Sequence, residues 1–403
     1  MTKPIIPVAR RHASDTNYTS GPDIGTATKV DPGAALAAQG WLPGAPVPAQ
    51  HLNHLLASAA AVARRMLAVL ALRPHTTDAA FADSTAACAA ACVENGGASE
   101  GIKALVVKAG TAGSMYVNDS DAVTVAGDTV SVTSLVTSIA YDNTAGRFIA
   151  VGSGGNNHCS STDNGANWVT GGAIGFVPQD IVRNPTLGLF IVNSASGSGS
   201  ARTTNGAAWT SSSHTLAASG KGGIAVLSSG RTVICGFDGF DAPRFTISDN
   251  GSTWADSGGF PADGGISFLN EGYICGNGGP LIWHVGLRGS PPSAIRVSVS
   301  SDGVTWTTRA DLSISVDNIP PAALQPDTQP RIMCCQNTGM LVIVCAEVAT
   351  SRIFAIASLD GGFTWTEPVY YAGASLRAFA VANGKLYRTL GSGLEQSVGV
   401  GWR

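Results

Sequence analysis

Ser358-Leu-Asp360-Gly-Gly362-Phe-Thr364-Trp365 is the stretch from which the rest of this chain can be read. It has the chemistry of a tight turn. An Asp carboxylate accepts hydrogen bonds from backbone N–H groups a few residues on. Glycine permits positive φ where the chain bends hardest. The tryptophan then returns to a sheet and buries a large apolar area. Five further copies follow the same pattern, with losses. Ser161-Thr-Asp163-Asn-Gly165-Ala-Asn-Trp168 keeps all of it, and Asp249-Asn-Gly251-Ser-Thr253-Trp254 keeps Asp, Gly, Thr and Trp. Asp302-Gly303-Val-Thr305-Trp306 carries its Asp one place late, and Thr204-Asn-Gly206-Ala-Ala-Trp209 has no Asp. Gly399-Val-Gly-Trp402 keeps little beyond Gly and Trp. Glycine stands three residues before tryptophan in every copy. Six of the eight tryptophans fall in the pattern, which makes chance a poor explanation.

Between the turns lie strand, Gly turn, strand units in matching register. Ile139-Ala-Tyr-Asp-Asn-Thr-Ala-Gly146-Arg-Phe148-Ile149 recurs as Ile181 to Ile191 around Gly188, Ile224 to Ile234 around Gly230, and Ile266 to Ile274 around Gly272. Later copies run from Ile332 to Ile343 around Gly339 and from Phe379 to Tyr387 around Gly384. Adding the tryptophan hairpin gives four strands per unit. The Trp-to-Trp spacings of 41, 45, 52, 59 and 37 match the period of a propeller blade. The fold expected is mainly β: a six-bladed β-propeller over residues 121–403. The last repeat stops one residue after Trp402, so its fourth strand must come from elsewhere. Ala122–Ser134, which has strand character, is expected to supply it. Closure of this kind leaves only short, protected strand edges.

Upstream, residues 1–47 show little periodicity and read as an extended arm. Residues 48–73 read as one α-helix, with Pro48 suited to the first turn. Leu52, Leu55, Ala59, Val62, Met66 and Val69 form a short apolar seam on it. That seam serves either oligomerisation or packing on a propeller. Residues 74–120 read as a connector with a strand at Ala104–Ala109.

Composition narrows the function classes. Charged residues are 13% and the net charge is −3, with no basic cluster beyond Arg10-Arg11 and Arg64-Arg65. Nucleic-acid binding has no electrostatic footprint here. No apolar segment precedes the first charges as a secretory signal would require. The most apolar run, Leu55–Leu72, carries Arg64-Arg65 in its middle, which argues against a membrane span. A soluble protein made in a cytoplasm is expected. The eight cysteines form no C-x-x-C pair and no His lies at zinc-site spacing, so they read as small buried hydrophobes. No metal and no cofactor is expected.

Candidate ligand residues follow from blade topology. Turns between the first and second strands and between the third and fourth share one face, which the tryptophan turns occupy. The longest connections should lie on the opposite face, and long loops on a rigid ring are where function tends to sit. These are Phe237–Asp241 with Phe237, Asp238 and Asp241, Asn277–Ala294 with Trp283, His284 and Arg288, and Thr307–Gln329 with Arg309 and Asp317. Trp283 offers a stacking surface or packs its own loop. His284 reads more simply as a satisfied polar side chain. The FDGFD loop could hold calcium or be a plain turn. A generic glycosidase needs two carboxylates on one substrate face; Asp238, Asp241 and Asp317 could lie there, though loop Asp residues are also common turn formers.

The repeats resemble the Asp-box (BNR) propellers, a family of sialidases, other glycoside hydrolases and non-enzymatic adhesins. The resemblance covers about two thirds of the chain and is specific for fold, not activity. In a sialidase it implies an arginine cluster, a Tyr/Glu nucleophile pair and an acid. The early Arg-Ile-Pro segment of that family is missing. Pro243-Arg244-Phe245 in the third repeat is the nearest fragment, and Tyr370 and Tyr371 follow Glu367 with no assignable arginine triad. A second resemblance involves Lys29-Val-Asp-Pro-Gly33, Gln39-Gly-Trp41-Leu42-Pro43-Gly44 and Pro48-Ala-Gln50, followed by Asn53, Leu55 and Leu56. This looks like an N-terminal segment of phage virion and prophage tail proteins. Val47 and His54 stand where that pattern has Pro and Trp. The resemblance implies docking through Trp41, Leu42, Pro43, Asn53, Leu55 and Leu56 to other virion tail proteins. The combined expectation is a non-enzymatic, tail-fibre-like virion protein whose propeller binds a host surface glycan or protein, as a homo-oligomer, a trimer first. The alternatives are a glycan-cleaving propeller, sialidase-like or a depolymerase, and a purely structural virion component.

Overall fold

The computed structural model describes Ala59, the backbone of five strands between Pro74 and Thr129, and most of residues 136–397. Every described element is a β-strand, and the strands group into seven sheets, six of four strands and one of five, in which Asn277–Gly279 pairs in parallel with Ile224–Leu227. Five of these follow one another as continuous blades and are described with their side chains. In chain order they are the second to sixth blades, beginning at inner strands Val136–Asp142, Pro178–Asn184, Ile224–Leu227, Tyr273–Cys275 and Arg331–Cys335. The first blade is Ala89–Cys92, Ala104–Val107, Ala112–Val117 and Val123–Thr129. The seventh is Phe379–Ala382, Lys385–Leu390 and Gly393–Ser397, completed by Pro74–Asp78. Inner strands lie against their neighbours in cyclic order, with that of the first blade touching those of the second and the seventh.

Three expectations are corrected by this. The blade count is not six, because the first blade carries no Gly-x-x-Trp turn and was invisible to the pattern. Its first three strands occupy residues read as a connector, and its fourth lies at the start of the expected propeller. The architecture is all-β among the described elements, not a propeller preceded by an α-helix. The residues of the expected helix, 48–73, lie outside the described residues apart from Ala59. The closing strand is not Ala122–Ser134, since Val123–Thr129 pairs with Ala112–Val117 inside the first blade. Closure comes from further upstream, where Thr77 lies opposite Glu395 and Asp78 opposite Leu394.

Blades stack face to face, so their middle strands are buried on both sides and read as unbroken apolar runs. Met340–Glu347 (MLVIVCAE) and Arg352–Ser358 (RIFAIAS) are examples. Separate apolar clusters fill the seams between the second and third, third and fourth, fourth and fifth, and fifth and sixth blades. Phe148, Phe190, Phe245, Phe354 and Phe379 give one fully buried phenylalanine in each of five blades. Each stabilises its seam by about 1.5–3 kcal/mol relative to exposure.

The turns dock each blade on the one before. Gly206, Gly251 and Gly303 have φ of 81°, 67° and 73°. A side chain there would meet Ile149, Ile191 and Val233 of the preceding blade. Trp168, Trp306 and Trp365 are buried; Trp209 and Trp254 are half-buried. Trp209 Nε1 donates to His158 and Trp254 Nε1 to Ser212, each on the preceding blade.

Candidate functional site

The acids of the tryptophan turns are occupied by their own backbone. Asp360 Oδ1 accepts from the N–H groups of Phe363 and Thr364, both at 3.0 Å, and Asp360 Oδ2 accepts from Thr364 Oγ1 at 2.6 Å. Asp302 Oδ1 accepts from Val304 at 2.8 Å and Thr305 at 2.7 Å. These bonds favour the ionised form and hold the Asp302 carboxyl below its usual range despite partial burial. In the fourth blade Asn250, not Asp249, takes this place, accepting from Ser252 at 2.9 Å and Thr253 at 2.8 Å. Asn205 does the same for Ala207 in the third blade. Asp249 instead forms a two-pronged pair with Arg231, at 2.7 and 3.0 Å, which lowers its pKa. Asp163 and Gly165 lie outside the described residues, as does Trp402.

Arg231 follows the turn after an inner strand, and it also donates to the Asp302 carbonyl at 2.9 Å. Inner-hairpin turns and tryptophan turns therefore share one face. Two further ties reinforce that face. Arg183 pairs with Asp142 at 2.7 Å, and Asn184 Nδ2 donates to the Gly230 carbonyl at 2.7 Å. The opposite face is where inner strands begin.

At that opposite face the beginnings of the inner strands line a channel cavity of about 140 Å³. Asp180 of the third blade, Tyr273 of the fifth and Arg331 of the sixth meet there. Tyr273 Oη donates to Asp180 Oδ2 at 2.8 Å. Arg331 Nη2 stands 4.0 Å from Asp180 Oδ1, and its guanidinium carbon lies 4.9 Å from the Tyr273 ring centre. The Asp180 backbone is fixed from behind, its N–H donating to Asn193 Oδ1 at 3.0 Å. A phenol bonded to a carboxylate is a nucleophile with its base in place. The guanidinium beside them suits a carboxylate on a ligand.

The residues singled out from sequence are not gathered at this site. Asp238, Asp241 and Asp317 lie outside the described residues, as does the Phe237 side chain. Trp283, His284 and Arg288 are not on a loop: they belong to the second strand of the fifth blade, Ile282–Arg288. Trp283 packs on the seam between the fifth and sixth blades. His284 is fully buried near the Phe245 and Trp306 rings, and burial lowers its pKa to about 3. Arg288 pairs with Asp311 at 3.4 Å, alongside a closer Arg296–Asp311 pair at 2.7 Å. Arg309 lies on the outer strand Thr307–Ser313 with its guanidinium 4.4 Å from the Phe363 ring centre. Tyr370 and Tyr371 are on the outer strand of the sixth blade, and Arg244 is on the third strand of the fourth. The docking residues Trp41, Leu42, Pro43, Asn53, Leu55 and Leu56 lie outside the described residues.

Asp180, Tyr273 and Arg331 were not singled out from sequence, yet a signal existed. Each immediately precedes an inner-strand isoleucine: Ile181, Ile274 or Ile332. Among the described residues no group of three or more His, Cys, Asp or Glu could hold a metal ion, and no helix is long and apolar enough to cross a membrane.

No family model matches the chain, and no curated protein does. Among solved structures it is similar to virginiamycin B lyase from Staphylococcus aureus, with a TM-score of 0.48 and 10% identity over 77% of this chain and 98% of that one. It is also similar to the hydrazine synthase of Kuenenia stuttgartiensis, with a TM-score of 0.49 and 10% identity over 74% and 93%. A Hadza microbial sialidase matches with a TM-score of 0.43 and 14% identity over 71% and 73%. These are likenesses of a β-propeller fold. The expectation that this chain is not an enzyme is corrected: a β-propeller fold hosts catalysts as well as binders and excludes neither.

Proposed function

We propose that the chain is a glycan-cleaving propeller that works at the channel mouth on an acidic sugar. The observation that carries this reading is the Tyr273–Asp180 hydrogen bond beside Arg331. Asp180 takes the phenol proton as Tyr273 Oη attacks the anomeric carbon; the glycosidic C–O bond breaks, and the departing oxygen takes a proton from water. Arg331 holds the sugar's carboxylate. Water then releases the sugar from the tyrosine, as in glycosidases with a tyrosine nucleophile. The test is sugar release from acidic polysaccharides by the purified full chain. Tyr273→Phe should lower release at least about 100-fold, a loss of about 2.7 kcal/mol in transition-state stabilisation. Unchanged release by a folded Tyr273→Phe variant would sink the assignment.

The run from Lys29 to Leu56 favours a setting for this activity. In that reading the chain is a phage tail-associated protein, assembled in the host cytoplasm and carried on the virion. Its N-terminal arm docks to other tail proteins, and the propeller, presented as a homo-oligomer, recognises a host surface glycan. Purified protein should then block adsorption of the phage that encodes it. Failure to compete, with the propeller still folded, would remove the host-attachment part.

A further inference from the structure

Cys275 and Cys334 form a thiol pair at the wall of the channel. Cys275 ends the inner strand of the fifth blade, and Cys334 lies on the inner strand of the sixth, which packs beside it. Both side chains belong to the apolar cluster that fills this seam, and both line the channel cavity. The two thiols are near enough for each to act on the charge of the other. The other described cysteines are placed differently. Cys335 is the next residue along the strand and is not in that cluster, as strand alternation requires. Cys159 and Cys345 have no exposed surface and do not line the cavity, and Cys235 Sγ bonds to the Gly272 carbonyl.

We propose that Cys275 and Cys334 are a reversible redox staple, forming an inter-blade disulfide when a disulfide oxidant of the glutathione class reaches the channel. The bond needs the sulfurs at about 2.05 Å, so the two neighbouring inner strands must close on each other. In the reaction one thiolate attacks glutathione disulfide and expels one glutathione thiol. The second protein thiolate then attacks the mixed disulfide and expels the other. The two protein thiols lose two protons and two electrons, and glutathione disulfide is reduced to two thiols. Burial raises the Cys275 thiol well above its usual range, with the nearby Arg331 charge acting in the opposite direction. The reaction is therefore slow at neutral pH and speeds up as pH rises. The bond ties two blades across a seam held by apolar packing and by the Arg331–Tyr273 and Arg309–Phe363 contacts, and it restrains the unfolded chain.

The test uses the folded full chain incubated with glutathione disulfide, digested without reduction and analysed by mass spectrometry. The expected product is a peptide pair joined through Cys275 and Cys334, lighter by two hydrogens than the separate peptides. It should persist in Cys335→Ala and disappear on reduction, and the oxidised chain should melt at a higher temperature than the reduced one. Three outcomes would overturn the proposal: a Cys334–Cys335 bridge, glutathione held stably on either thiol, or both thiols unreacted while the protein stays folded. Wild-type chain carries the decisive readout, so an unfolded Cys275→Ala variant would not obscure it.

Discussion

The two faces of this ring use the same side chain in different ways. On the tryptophan-turn face, Asp360 and Asp302 bond to groups within four residues of themselves. At the channel mouth, Asp180 finds its partners on two other blades, Tyr273 and Arg331. A locally satisfied carboxylate braces a bend. One satisfied across the ring depends on the whole fold and stands beside a nucleophile and a cation. Charge alone does not separate a structural acid from a chemical one: Asp142 also reaches another blade, to Arg183, yet only Asp180 has a phenol as well as a guanidinium beside it.

That contrast can be broken most severely at Gly272, next to Tyr273. A Cβ there would fall inside the His284 ring, and His284 has no room to yield. Gly272→Ala should cost about 3 kcal/mol by overpacking, read as a lower denaturant midpoint. An unchanged midpoint would mean that the mouth is not held by this packing.

Acid should loosen the interior next. His214 and His284 are buried, and burial lowers their pKa values to about 4 and about 3. The unfolded chain binds protons near pH 6.5 and the folded one does not. The stability is therefore complete above about pH 6.5 and declines as pH falls towards 4 and then 3. Each histidine contributes a slope of up to about 1.4 kcal/mol per pH unit in its window. Melting temperature against pH checks this, and a flat profile from pH 7 to 4 would contradict it.

On the turn face, Asp360→Ala leaves two backbone N–H groups without their acceptor and should cost about 1–3 kcal/mol. Sugar release by the remaining folded protein should be untouched. In the fourth blade the effect should move to the amide. Asn250→Ala should cost about 1–2 kcal/mol, while Asp249→Ala, which breaks an exposed pair, should cost less than about 1 kcal/mol. The reverse order in chemical denaturation would restore Asp249 as the brace.

The turns were legible because their chemistry is contiguous in the chain. Gly three residues before Trp locates a bend without knowledge of anything distant. The first blade was not legible, because Asn118 to Ala122, between its third and fourth strands, contains neither residue. The assignment of Asp249 failed by one place, since Asn250 offers the same carbonyl-type oxygen in the position set by Gly251. The channel-mouth residues were hidden by register. Aligning the fourth repeat on Ile266 placed Tyr273 on a second strand; the inner strand of the fifth blade begins at Tyr273 itself. With Ile274 aligned to Ile181 and Ile332, the preceding positions read Asp, Tyr and Arg. The same slip turned the Ile282–Arg288 strand into an apparent loop and suggested Trp283, His284 and Arg288 as ligand residues.

The pairing of Thr77 with Glu395 has a consequence for biosynthesis. A ribosome delivers one of these residues near the beginning of the ring and the other near its end. Until then the nascent seventh sheet has an open flank able to capture a strand from another chain. Final assembly must therefore wait for residues 393–397 to emerge, and removing Pro74–Asp78 would leave that flank open for good.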